Sequence, residues 1–261
     1  MPKFAANLTM LFAELPFTDR FAAAKAAGFT GVECLFPYDF EKAELREQLH
    51  RHGLTQVLHN LPAGDWVAGE RGIAILPDRV DEFRDGVAHA IDYAKALDCR
   101  QLNCLVGIAP ADAEVFELNE VLVANLRFAA DALERERIRL LIEPINTTDI
   151  PGFFLCGTEQ AAQLVSDVRS SNLFIQYDIY HMQVMEGDIA RSLQKHLSRI
   201  AHVQLADNPG RNEPGTGEIN CPFLFRHLDA LGYRGWVGCE YKPRTNTLDG
   251  LGWHAALTLD T

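Results

Sequence analysis

Short apolar runs alternate with amphipathic stretches along the whole chain. The runs are FAANL (4–8), GVECLF (31–36), TQVLHN (55–60), RQLNCLVG (100–107), RLLIEP (139–144), LFIQYDIY (173–180), AHVQLAD (201–207) and WVGCEY (236–241). Each is short and apolar on both faces, the pattern of a parallel strand buried on both sides. Helical periodicity fills the intervals at 19–28, 40–52, 80–97, 115–134, 158–169, 188–197 and 222–231. Gly28 and Gly53 stand where helices end, Thr158 is placed as an N-cap, and Pro222 falls in a first turn. Eight strands, each with a helix, within about 250 residues is the arithmetic of a single (β/α)8 TIM barrel. One domain spanning 1–261 is therefore predicted. An open doubly wound sheet is the alternative, but it needs fewer strands, and no G-x-G-x-x-G follows the first strand. The Gly-rich piece EPGTGEIN (213–220) comes after the seventh strand and has Asn220 where a third glycine would fall. It reads as a loop, and no nucleotide cofactor is expected.

Composition narrows the class. Of 261 residues, 48% are hydrophobic and 23% charged, which is ordinary for a globular protein and excludes disorder. A net charge of -12 argues against nucleic acid and anionic membrane surfaces as partners. No apolar run reaches the length of a membrane span, and the start MPKFAANLTM lacks the apolar stretch of a signal peptide. The six cysteines form no C-x-x-C pair, so reduced thiols and a cytoplasmic location are expected.

In a barrel the chemistry sits at the C-terminal ends of the strands. There the apolar runs carry residues that they would not otherwise need. Strand three ends in His59 and Asn60, and strand four carries Asn103. Strand five ends in Glu143. Strand six carries Asp178, with His181 just beyond. Strand seven carries His202 and Gln204, with Asp207 beyond, and strand eight ends in Glu240. Taken singly, each has a bland reading: a solvated rim glutamate, a turn-forming aspartate, or, for His202, a satisfied core histidine. Their recurrence at one end carries the weight. Three carboxylates in one barrel mouth repel unless a cation holds them or one stays protonated. Glu143, Asp178, Gln204 and Glu240 make an all-oxygen set suited to Mg2+ or Mn2+. Such an ion would chelate a carbonyl and the neighbouring hydroxyl and stabilise an enediolate. Two glutamates flanking the carbon skeleton would then move a proton between adjacent carbons.

Eight blocks stand out: FAANLTMLF (4–12), GVECLFPYDF (31–40), LPAGDWVAGERGIA (61–74), NCLVG (103–107), IEPINTTDIPGF (142–153), IQYDIYHMQVMEGD (175–188), LADNPGRNEPGTGEIN (205–220) and GWVGCEYKP (235–243). Together they resemble the hydroxypyruvate isomerase family of the xylose-isomerase-like barrels. The resemblance covers nearly the whole chain. It implies the interconversion of hydroxypyruvate and 2-hydroxy-3-oxopropanoate, with Glu143 and Glu240 as the acid/base pair. It also implies one divalent metal on Glu143, Asp178, Gln204 and Glu240. Where the wider superfamily commonly has a histidine on strand seven, this chain has Gln204, a weaker neutral ligand. His181 matches a position beside the substrate, and Asn103 and His59 are expected to face it too. The substrate, a small 2-oxo-3-hydroxy acid, is an anion and needs a local cation. Arg71, Lys242 and Arg211 are candidates, with Arg71 and Lys242 favoured. A 2-oxo-tetronate isomerase, or a related sugar-acid isomerase or epimerase, shares the chemistry and remains open. A non-catalytic sugar-acid binding barrel would not need both glutamates, and a repair nuclease would want a basic surface. Barrels of this kind often pair, so a homo-oligomer is considered. The tail LGWHAAL (251–257) packs either on the barrel or on such a partner.

Overall fold

A computed structural model describes residues 2–254. The strands are β1 (Lys3–Asn7), β2 (Gly31–Glu33), β3 (Thr55–Asn60), β4 (Gln101–Cys104), β5 (Arg139–Ile142), β6 (Leu173–Asp178), β7 (Ile200–Leu205) and β8 (Trp236–Cys239). All pair in parallel with their sequence neighbours, and β8 closes on β1. The expected barrel is therefore the observed one. The helices are α1 (Arg20–Ala26), α2 (Lys42–His52), α3 (Val80–Ala96), α4 (Val115–Arg135), α5 (Thr158–Val168), α6 (Ile179–Met185), α7 (Ile189–His196) and α8 (Cys221–Ala230).

Helix periodicity builds the outer core. On α3, Phe83, Val87, Ala90 and Ala94 are buried, and on α4 so are Leu118, Leu122, Leu126, Ala129 and Leu133. This is the three-to-four spacing of one apolar face laid on a sheet. Gly53 ends α2 in the left-handed conformation, as expected. Thr158 is not an N-cap: Gly157 holds that place, and Thr158 opens the helix itself. The carboxylate of Glu186 takes the capping role, accepting from the Thr158 N–H at 2.6 Å and its hydroxyl at 2.8 Å.

Inside the barrel, Ala5, Val57, Leu58 and Leu141 form a small apolar floor. Above it lies a buried polar layer. The Glu33 carboxylate accepts from Asn7 Nδ2 (3.1 Å) and Gln204 Nε2 (2.8 Å) and pairs with His202 Nε2 (2.8 Å). His202 Nδ1 meets Gln101 at 3.2 Å. These bonds join β2 and β4 to β7 across the barrel. They satisfy groups that would otherwise be costly to bury. Register shifts fall at Val32/Glu33 and Ile175/Gln176, both in this layer. Gly238 leaves room for it, since a Cβ there would lie 2.4 Å from the Glu33 carboxylate oxygens. His202 is thus the satisfied core histidine of the bland reading.

Trp253 packs edge-on against Phe4, 5.2 Å between ring centroids, so this part of the tail covers the barrel. The rest of the 251–257 segment, residues 255–257, lies outside the described residues. Among the described residues no helix is long and apolar enough to cross a membrane. All six cysteines are free thiols.

Candidate active site

A cavity of about 620 Å3 opens at the C-terminal ends of the strands. Glu143 and Glu240 reach it from the residues just after β5 and β8. His181 comes from α6, Arg211 from the β7–α8 loop, Arg71 from the β3–α3 loop, and Lys242 from beyond β8.

Strand six shows how local sequence makes the site. The run LFIQYDIY was expected to continue as strand to residue 180. It turns into α6 after Asp178 instead. Asp178 is the N-cap, and its Oδ1 accepts from Tyr180 N (2.7 Å) and His181 N (3.2 Å). Oδ2 is left buried with no hydrogen-bond partner, as is Oε1 of Glu143. Ligand atoms of Glu143, Asp178 and His181 lie within 4.8 Å of one another. Two buried carboxylate oxygens without hydrogen-bond partners are what a hard divalent cation satisfies, so the donor set fits such an ion.

His181 has a definable proton. Asn146 Oδ1 is taken by the Asp149 N–H at 2.7 Å, so its amide nitrogen faces His181 Nδ1 at 2.6 Å. Nδ1 therefore accepts, and the proton sits on Nε2. Burial pushes the imidazole pKa down to about 4, against the pull of Asp178, so the ring is neutral. Nε2–H is a donor 3.7 Å from Asp178 Oδ2 and 4.0 Å from Glu143 Oε1. That tautomer suits a hydrogen bond to a substrate oxygen better than metal ligation.

The two glutamates are buried together. Burial raises Glu143 well above the ordinary carboxyl range, and the nearby Glu240 and Asp178 charges add to it. Asn103 Nδ2 donates to Glu143 Oε2 at 3.0 Å and orients it. Burial lifts Glu240 to about 8, although Arg211 pulls it down. Arg211 Nη2 lies 3.7 Å from Glu240 Oε1, and Nη1 donates to Asp149 Oδ2 at 3.1 Å. Burial works against the Arg211 charge, but Glu240, Asp178, Asp149 and Glu143 outweigh it and raise its pKa. Its Nη2 is 3.4 Å from the His181 Nε2 donor, and its Nε has no partner. Donors thus converge where an acceptor is wanted.

The structure reorders the sequence expectations. Arg211, ranked behind Arg71 and Lys242, is the cation among the carboxylates. Lys242 lines the cavity. Arg71 sits at the mouth, its guanidinium 4.0 Å over the Trp66 ring and Nη1 donating to Trp66 O (3.0 Å) and Glu70 O (2.7 Å). His59 is turned away from the cavity and toward Tyr38, 3.3 Å from its hydroxyl. Strand alternation is the reason: Asn60, its neighbour, takes the inward position, lines the cavity and contacts Asn103 at 3.2 Å. Gln204 points inward but is engaged, with Nε2 on Glu33 and Oε1 accepting from Gln176 at 2.6 Å. As a ligand its oxygen would have to exchange Gln176 for the ion. Sequence reasoning missed Asn146, Asp149 and Glu33. Only Glu33 carried a signal, a carboxylate inside an apolar run.

Hydroxypyruvate isomerase of Escherichia coli K12 is 56% identical over 253 residues, covering 97% of this chain and 98% of that protein. The 2-oxo-tetronate isomerase of Cupriavidus necator is 47% identical over 253 residues, with 97% of each covered. A crystal structure of a protein from Brucella melitensis, described as a family 2 AP endonuclease, superposes with a TM-score of 0.96 at 48% identity, covering 98% and 99% of the two chains. With the family model described as xylose isomerase-like TIM barrel matching residues 21–257, the chain belongs to that family.

Proposed function

We propose that this isomerase interconverts hydroxypyruvate and 2-hydroxy-3-oxopropanoate, with Glu143 and Glu240 as its acid/base pair. The observation that carries the reading is the shared cavity wall. Two buried carboxyls with raised pKa values stand beside an orphaned Asp178 oxygen and the Arg211 cation. A pKa near 8 suits a group that must both take and return a proton near neutral pH.

In the forward direction one glutamate removes a proton from C3, forming the enediolate across C2 and C3. A proton is then delivered to C2 with help from the other glutamate. The hydroxyl proton passes from O3 to O2, so the product is the aldehyde isomer with the same atoms. Glu143 and Asp178, with Gln204 and Glu240 as further oxygens, would hold Mg2+ or Mn2+, which supplies Lewis-acid polarisation of the carbonyl. His181 Nε2–H and Arg211 donate to substrate oxygens. Arg71 and Lys242 attract the substrate carboxylate into a protein of net charge -12. Asn103 fixes Glu143.

A four-carbon 2-oxo acid is the second reading, favoured by the Cupriavidus relative and by a cavity roomier than a three-carbon acid needs. Proton exchange in D2O, followed by NMR with Mg2+ or Mn2+, tests both. Deuterium at C3 of hydroxypyruvate with aldehyde product supports the first reading. Exchange only with the 2-oxo-tetronate supports the second, and silence with both refutes the enediolate chemistry.

A further inference from the structure

Backbone N–H groups of the Gly-rich segment EPGTGEIN (213–220) converge on an anion. That anion is the protein's own. Asp207, two residues past β7 and 1% exposed, accepts four backbone hydrogen bonds. Oδ1 takes the N–H of Asn208 and of Ile219, each at 3.0 Å. Oδ2 takes Gly215 N at 2.8 Å and Gly217 N at 2.9 Å. The loop is wound so closely around this carboxylate that a Cβ on Gly217 would lie 2.0 Å from Asn208 O. A backbone nest of this kind normally selects a phosphate or other anion. Here it is filled from within.

The wound loop carries Arg211. That residue is in the left-handed region at φ 52°, a conformation a non-glycine side chain holds only when its surroundings require it. The surroundings are on both sides. Asp207 N donates to Asn212 O at 2.8 Å, Lys242 N donates to Arg211 O at 2.8 Å, and Asn212 Nδ2 donates to Lys242 O at 2.7 Å. The loop carrying Arg211 is thereby tied on one side to Asp207 and on the other to the backbone of Lys242 beyond β8.

We infer that Asp207 is a positioning residue for the isomerisation, acting through Arg211 by fixing the β7–α8 loop around its carboxylate. This rests on the function proposed above. Asp207 does not line the cavity. It holds Arg211 where the guanidinium faces Glu240 and the substrate oxygens. Asp207→Asn keeps the shape but replaces one acceptor oxygen with an NH2 that opposes two N–H donors.

The test combines amide hydrogen exchange with a kinetic cycle. In Asp207→Asn, exchange should speed up at Gly215, Gly217 and Ile219 while the barrel strands stay protected. Its kcat/KM should fall roughly 10–100-fold, the scale of losing a residue that orients a site group. In an Arg211→Met background the same change should cost little, because the group it positions is already gone. Gly217→Ala disturbs the nest from the loop side and should repeat the pattern, which covers the case of Asp207→Asn failing to fold. A full, additive loss in the Arg211→Met background, or unchanged kinetics in both loop variants, overturns the inference. If the wild type turns over neither acid, the assigned reaction falls and the inference with it, whatever the exchange data show. If it does turn over, those two kinetic outcomes refute the positioning role alone.

Discussion

Replacing Glu240 by glutamine should make the metal-free protein more stable, and increasingly so as the pH rises. The Glu240 carboxyl is 7% exposed, and its pKa rises from the ordinary 4.5 to about 8 because burial disfavours the charged form. A raised carboxyl contributes stability that is complete below the unfolded value and is lost as pH climbs through the folded one. The window is therefore pH 4.5 to 8. One pKa unit corresponds to 1.36 kcal/mol. Integrating from pH 5 to pH 7, the wild type should lose about 2 kcal/mol relative to Glu240→Gln, which never ionises. For a chain of this size that is about 5 °C in Tm. The assay is urea or thermal unfolding of both proteins with EDTA at pH 5, 6, 7 and 8. A divalent cation should shrink the gap by holding the ionised form. A stability difference that stays flat from pH 5 to 8, or moves against the variant, would refute the assignment of Glu240 as a buried, proton-holding carboxyl. The same variant should be nearly inactive, so the prediction sets stability and activity against each other at one residue.

Glu143→Gln should lower kcat roughly 10²–10⁴-fold with a native circular dichroism spectrum, and near-normal turnover would remove Glu143 from the proton transfer. Arg211→Met should reduce kcat/KM by about 10–100-fold, from losing charge-assisted hydrogen bonds worth about 1.5–3 kcal/mol, and more than Lys242→Ala does; the opposite ranking would make Lys242 the stronger of the two substrate contacts. His59→Phe should leave KM within about twofold, because the ring faces away from the cavity. It should also relieve acid sensitivity. The His59 pKa is pushed down to about 4 by burial, so its contribution is present above 6.5 and lost as pH falls toward 4. A large KM change would place His59 back against the substrate.

How much of this could be read from residues in order differs element by element. The barrel could be, because eight apolar runs separated by 3.6-period stretches leave few ways to bury every strand on both faces. Glu143, Asp178 and Glu240 could be, because a carboxylate closing an apolar strand at the chemically active end of a barrel has to be explained by something it meets there. The departure of LFIQYDIY from strand at Asp178 could not. It depends on a side-chain oxygen capping α6, in competition with a strand-like composition. Alternation along β3 should have separated His59 from Asn60, but which of the two faces inward is a matter of register with β4, a partner about forty residues away in sequence. The choice among Arg71, Lys242 and Arg211 was also closed to the sequence. All three are cations in loops, and which of them lies among the carboxylates follows from how the β7–α8 loop is held and where β8 ends. The chain by itself therefore determined the architecture and the carboxylates, since periodicity and strand-end chemistry are local. Tertiary structure alone decided the tautomer of His181, the engagement of Gln204 by Glu33 and Gln176, and the depth of Arg211. Each of these rests on hydrogen bonds between strands and loops that only the closed barrel brings together.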